Sequence, residues 1–227
     1  MPRRRVANPL ALAVLGCLAE KPMHPYEISS TLRSRGKERS IKLNYGSLYA
    51  VVESLVKHGL IAAKETQRAG RRPERTVYTI TEAGQAEFES WLAELISAPV
   101  RDFASLEAGL SLMAGLAPDE VAQLLTERSR ALRMELGALA EGARIGEEMG
   151  LPEIFSIEDR YRRAMLTAEL DFVTGLAASI RDSSLGGTKL WRRLYELKAD
   201  GLSFEEIMAD PVRHLGEEAR VLAQAWD

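Results

Sequence analysis

The sequence predicts a mainly α protein with one small two-stranded β hairpin, split into a basic N-terminal domain and an acidic helical remainder. Three observations carry this. The stretch KLNYGSLYAVVESLVKHGLIAAKETQRAGRRPERTVYTI, residues 42–80, sets one helix, a tight turn and a hairpin with a basic tip in succession. Residues 1–90 hold 15 Lys and Arg against 9 Asp and Glu, about +6, whereas residues 91–227 hold 15 against 24, about −9. Beyond residue 97 the apolar residues recur at helical rather than strand spacing.

Whole-chain properties bound the reading. With 227 residues and 46% hydrophobic composition, the chain can bury one or two proper cores. A single cysteine excludes an intramolecular disulfide framework and fits a reducing compartment, the cytoplasm. No apolar run approaches the roughly 20 residues of a membrane span, so no membrane partner is expected. The expected divisions are residues 1–97, 98–183 and a helical extension, 184–227.

The first segment, MPRRRVANPLALAVLGCLA, admits two readings. Three arginines, an apolar run and Cys17 resemble a lipoprotein leader. A first core helix, with Asn8 as N-cap and Pro9 at the first helical position, explains the same residues. The helix is preferred, because the chain continues into another amphipathic unit rather than a polar tether. Arg3, Arg4 and Arg5 then form an arm able to lie on phosphate. Residues 23–35 make a second helix, with Tyr26, Ile28 and Leu32 as expected core contacts, ended by Gly36.

Asn44 is a suitable N-cap for the third helix, and Gly59 a glycine stop. Leu48, Val51, Val52, Leu55 and Val56 share one face at 100° per residue. The opposite face carries Gly46, Ser47, Ala50, Glu53, Ser54 and Lys57, and is small near its N-terminus. A helix lying in a DNA major groove needs such a face, since large side chains would hold it off the base edges. Residues 60–67 and 75–80 then read as strands flanking an Ala-Gly-Arg-Arg-Pro turn. Helix, helix, turn, helix, hairpin is the order of a winged helix-turn-helix.

On these motifs the chain resembles the PadR family of bacterial transcriptional regulators. The resemblance is carried by PLALAVLGCLAEKPMHPYEI, NYGSLYAVVESLVKHGLI and RRPERTVYTITEAG, across roughly residues 8–90. One departure is Pro25, where the family more often has glycine before the tyrosine. The resemblance implies a homodimer that binds a palindromic DNA operator, usually as a repressor. The DNA-contacting set expected here is Asn44, Tyr45, Ser47, Tyr49, Ala50 and Lys57 on the helix, and Arg71, Arg72 and Arg75 on the wing. Arg3 to Arg5 add a weaker arm.

Residues 81–96 form a fourth helix, with Phe88, Leu92 and Leu95 expected inside. Trp91 has two readings: packing in a core or dimer contact, or a platform for a flat small-molecule effector. The second follows from the resemblance, since some multidrug-sensing relatives stack drugs on a tryptophan. Further on, residues 103–116 read as an apolar helix and Pro118 opens a longer one. There Leu125, Leu132 and Leu139 are spaced by seven. Gly150-Leu151-Pro152 breaks it, and Ser156 to Asp159 looks like a capping box. The helix it opens carries Tyr161, Met165, Phe172, Leu176 and Ile180. The expected dimer contacts are Leu125, Leu132, Leu139, Phe172, Leu176 and Ile180; packing within a single chain is the alternative.

After the Ser183-Ser184-Leu185-Gly186-Gly187 joint, the tail is helical and exceeds the usual family length. Asp200 to Ile207 resembles a helix-turn-helix turn, but Ser203 followed by Glu205 and Glu206 is explained by capping. The chain has no Gly-rich phosphate loop, no Cys-x-x-Cys and no histidine pair at metal spacing, so neither enzyme, cofactor nor metal is expected. The sequence thus reads as a dimeric DNA-binding regulator, a repressor released by a small-molecule effector. A winged helix used only for protein–protein contact is the alternative.

Overall fold

The computed structural model describes residues 8–41, 45–67, 75–99 and 104–220. It separates into two compact units, Met1–Asp102 and Phe103–Asp227. In the first, α1 (Pro9–Glu20) starts where the Asn8 side chain accepts the Leu10 N–H at 2.9 Å. Its Leu10, Val14, Leu15 and Leu18 are buried, and so is Cys17, whose thiol burial pushes up to about 11. The helix α2 (Pro25–Ser34) is capped by His24: its Nδ1 accepts the Tyr26 N–H at 3.1 Å, while Glu27 reaches back to the His24 N–H. Gly36, at φ 68°, carries the chain into a 3₁₀ turn, Lys37–Arg39.

The third helix, α3 (Tyr45–Lys57), ends in a Schellman motif. Gly59 has φ 71°; its N–H donates to the Val56 carbonyl at 2.9 Å, and the Leu60 N–H to Leu55 at 3.0 Å. Strands β1 (Ile61–Gln67) and β2 (Arg75–Ile80) pair antiparallel with Ile61 opposite Ile80, and a bulge lies between Ala63 and Glu65. Met23 adds a third rung by exchanging backbone hydrogen bonds with Tyr78, at 3.0 and 3.1 Å. The helix α4 (Glu82–Ser97) begins at Thr81, whose hydroxyl accepts the Gly84 N–H. Leu48, Val52 and Leu55 of α3 meet Leu10, Val14, Ile28, Ile61 and Trp91 in one core.

In the second unit come α5 (Ser105–Ser111), a 3₁₀ turn at Met113–Gly115, and α6 (Pro118–Glu148), roughly 46 Å long at 1.5 Å per residue. Gly150, at φ 68°, and a 3₁₀ turn at Glu153–Phe155 reverse the chain into α7 (Ile157–Arg181), which packs along α6. Val121, Leu125 and Leu132 face Val173, Ala177 and Ile180. Arg128 and Glu169 tie the pair at 2.6 Å, and Arg162 binds Glu135.

Four helical segments close the described chain: α8 (Thr188–Ala199), α9 (Phe204–Ala209), α10 (Pro211–Leu215) and a 3₁₀ turn, Glu217–Ala219. Two faces of α8 serve two cores. Trp191 enters the α6–α7 core, its Nε1 donating to the Leu116 carbonyl at 2.9 Å. Leu197 packs with Ile207, Leu215 and Ala219, flanked by Leu190 and Leu194. Ser203 forms a capping box with Glu206, as the sequence suggested for that turn.

Several expectations need correction. Leu125, Leu132 and Ile180 are occupied inside the chain's own hairpin core, Leu139 is also buried and Leu176 packs against that core. Of the six residues expected at a dimer contact, only Phe172 is exposed, because a seven-residue repeat marks the in-chain seam as readily as an intermolecular one. Ser156 forms no capping bond; its hydroxyl donates to the Glu153 carbonyl instead. Leu92, Leu95 and Val56 are exposed rather than interior.

Candidate nucleic-acid interface

The α3 helix presents two unlike faces. Leu48, Val51, Val52 and Leu55 are buried, while Gly46, Ala50, Glu53 and Lys57 are exposed. At 100° per residue these four sit within about 60° of one another, with Ser47 and Ser54 on one flank and Tyr49 and Val56 on the other. Gly46 and Ala50 give the first turns a low profile, so another macromolecule can approach the α3 backbone closely.

Of the residues expected to contact DNA, Ser47, Tyr49, Ala50 and Lys57 therefore share one side of α3. Tyr49 is 47% exposed, which matches a ring half packed at the edge of the face. Tyr45 opens α3 and Arg75 opens β2, but their side chains lie outside the described residues. Arg3, Arg4, Arg5, Asn44, Arg71 and Arg72 lie wholly outside them.

The hairpin is joined to the end of α3 by a hydrogen-bonded corner. The Thr81 hydroxyl approaches the carbonyls of Gly59 and Leu60 at 2.8 and 3.0 Å, and the Thr81 N–H donates to Leu60 at 3.1 Å. The end of α3, the end of β2 and the start of α4 thus meet at one threonine. This fixes the direction in which the hairpin leaves the helix.

Comparison with known proteins agrees with this geometry. Residues 14–90 match the model of the transcriptional regulator PadR-like family. The N-terminal unit is a PadR-like domain. Among solved structures, Bacillus subtilis PadR in complex with operator DNA is similar with a TM-score of 0.62 and 18% identity, over 76% of this chain and 99% of that one. The Vibrio cholerae virulence activator AphA is similar at 0.58 and 17%, over 77% and 99%. Bacillus subtilis PadR in complex with p-coumaric acid follows at 0.51 and 20%, over 76% and 95%. A comparison with curated proteins gave no match. Identities this low establish the fold alone: a winged helix followed by a helical region.

Within the PadR-like domain, a further exposed residue departs from the sequence reading. Tyr26, expected in the core, is 61% exposed at the start of α2. Helical phase could have found it, since Tyr26 lies about 160° from Ile28, which anchors the buried face. Trp91, weighed between packing and a ligand platform, is only 6% exposed and belongs to the first core. Its indole offers no open face within the protomer.

Proposed function

We propose that this protein is a transcriptional regulator that binds an inverted-repeat DNA operator as a homodimer through its PadR-like domain. The observation that carries the reading is the exposed face of α3, low at Gly46 and Ala50 and bordered by Ser47, Tyr49 and Lys57, in a domain of this family. Such a helix can enter the major groove, with its N-terminal residues on base edges and Ala50 against a thymine methyl. Wing arginines Arg71, Arg72 and Arg75, and Arg3 to Arg5, would bind the phosphate backbone. Support comes from the similar protein whose structure contains operator DNA.

The dimer would form through the second unit. Ile157, Tyr161, Met165 and Phe172 line one exposed side of α7, and Ile145 and Met149 one side of α6. Exposed apolar side chains repeated along one helix side are costly to leave in water and suit a second copy. Its acidity, about −9 over residues 91–227, argues against a second DNA surface there. Pairing would set the two α3 helices ~34 Å apart, or a multiple, to reach successive grooves.

Repression relieved by a small molecule is the regulatory form we infer, supported by the similar protein bound to p-coumaric acid. Such a ligand acts by preferring one spacing of the two helices. Trp91 is not assigned to it, given its burial. Selection of binding sites from random duplex DNA tests the whole reading. Recovery of an inverted repeat is expected; a pool that enriches no sequence would refute it.

A further inference from the structure

The second unit holds a cleft of about 440 Å³ that the DNA-binding reading does not use. Asp119, Gln123, Thr126, Glu127 and Arg130 line it from one side of α6, and Arg181 reaches across from the end of α7. The spacing explains the gathering, since residues three and four apart stand above one another on a helix. Its volume falls within the range of roughly 300–1,000 Å³ typical of small-ligand sites.

The charges in the cleft are unevenly answered. Asp119 is paired at 2.7 Å with Arg192 of α8, whose other terminal nitrogen donates to the Ile180 carbonyl at 3.0 Å. Glu127 accepts a hydrogen bond from Gln123 at 3.0 Å. Arg181 donates to the Ala122 carbonyl at 3.0 Å and to the Thr126 hydroxyl, both neutral acceptors. These hold the guanidinium in place without cancelling its charge. Among the described residues, neither Arg130 nor Arg181 has a carboxylate partner. Two cationic forks therefore border a concave space in which Asp119 is paired with Arg192, while Glu127 keeps its charge beside a neutral amide.

We propose that this cleft binds a small organic anion, a carboxylate or a phosphate monoester, with Arg130 and Arg181 as its ligands. Guanidinium presents paired N–H donors that match the two oxygens of either group. The surrounding charge decides the ligand's size. Residues 91–227 carry about −9 and Glu127 also lines the cleft, so a long polyanion is disfavoured relative to a small anion held between the two arginines. The site sits where α8 fastens the start of α6 to the end of α7, so an occupant held by Arg130 and Arg181 adds a further link between α6 and α7.

This inference stands whether or not the chain reads DNA, because its test contains none. Succinate and inorganic phosphate are titrated separately into the full-length protein at constant ionic strength, with calorimetry and amide shifts as readouts. Saturable binding with a Kd of about 1 mM or tighter is expected for at least one of them. Arg130→Gln and Arg181→Gln each weaken it roughly tenfold, equivalent to about 1.4 kcal/mol. Arg163→Gln, at an exposed arginine on α7, leaves it unchanged. Arg130 is exposed and, among the described residues, makes no hydrogen bond or ion pair, so its loss removes no bond that folding uses. Binding by neither probe, or equal weakening by all three substitutions, overturns the proposal. So does a change in sedimentation with Arg130→Gln while anion affinity is kept, which would make the arginine an interface residue.

Discussion

Gly84 lies against Leu60 with no room for a side chain: a Cβ at Gly84 would stand 1.9 Å from the Leu60 carbonyl oxygen. The same oxygen accepts the Thr81 N–H, so it cannot withdraw without breaking the corner that aims the wing. Gly84→Ala is expected to cost about 3 kcal/mol through overpacking, measured by urea unfolding. Gly137→Ala, on α6 with open space around it, should instead stabilise by about 1 kcal/mol, because alanine is the better helix former. Equal effects from the two substitutions would remove the steric account.

Much of the first unit was legible because its signals are local. Asn8, Gly36 and Gly59 punctuate the helices by cap and turn chemistry that depends on near neighbours. The strand pair was legible in the β-formers of 76–80. What escaped was partner choice. Leu125, Leu132 and Ile180 carry the same apolar periodicity whether they face α7 of their own chain or another molecule. His24 as a helix cap escaped too, since capping preferences favour Ser, Thr, Asp and Asn. In the candidate interface the low face of α3 was readable from residue size, whereas Tyr26 was assigned inside because aromatic residues usually are.

The α2 N-terminus gives a test of how the domain meets the DNA backbone. Its Tyr26 N–H is taken by His24, the His24 N–H by Glu27, and Pro25 has none. Backbone donors there are closed, which leaves the exposed Tyr26 hydroxyl as the group able to reach phosphate. Tyr26→Phe should weaken binding about equally across operator variants, by roughly 1 kcal/mol. Ala50→Gln, on the α3 face, should change the preferred sequence. A Tyr26→Phe protein with altered base preference would assign this residue to the wrong groove element.

Acid should loosen the contact between α1 and α2. Arg35 donates two hydrogen bonds to Glu20, at 2.5 and 2.7 Å, and these hold the Glu20 carboxyl below its ordinary value of 4.5. A depressed folded-state value means the pair's contribution is complete above the unfolded value and is lost as pH falls through the folded one. Both side chains are about half exposed, so solvent screening keeps the contribution below about 1 kcal/mol. Glu20→Gln should therefore flatten part of the stability loss below pH 4.5 and change nothing near neutrality beyond that amount. Thermal unfolding of both proteins between pH 3 and 7, at matched salt, checks it.

The two apolar sides of α7 can be separated by a pair of charge insertions. Phe172 is 55% exposed and shares its side with Tyr161 and Met165, whereas Val173, one residue on, is fully buried against α6. A carboxylate at Val173 would stand in the hairpin core without a partner, and should unfold the second unit or cost several kcal/mol. A carboxylate at Phe172 costs the monomer little, since that position already meets water. If the exposed stripe is where a second copy binds, Phe172→Asp places two like charges in the shared interface and should yield a folded monomer. Operator affinity should fall with it, because a single recognition helix reads one half-site. Sedimentation, circular dichroism and DNA binding on the same samples distinguish the outcomes. A Phe172→Asp protein that stays dimeric, with full affinity for an inverted repeat, would move the interface away from this side of α7.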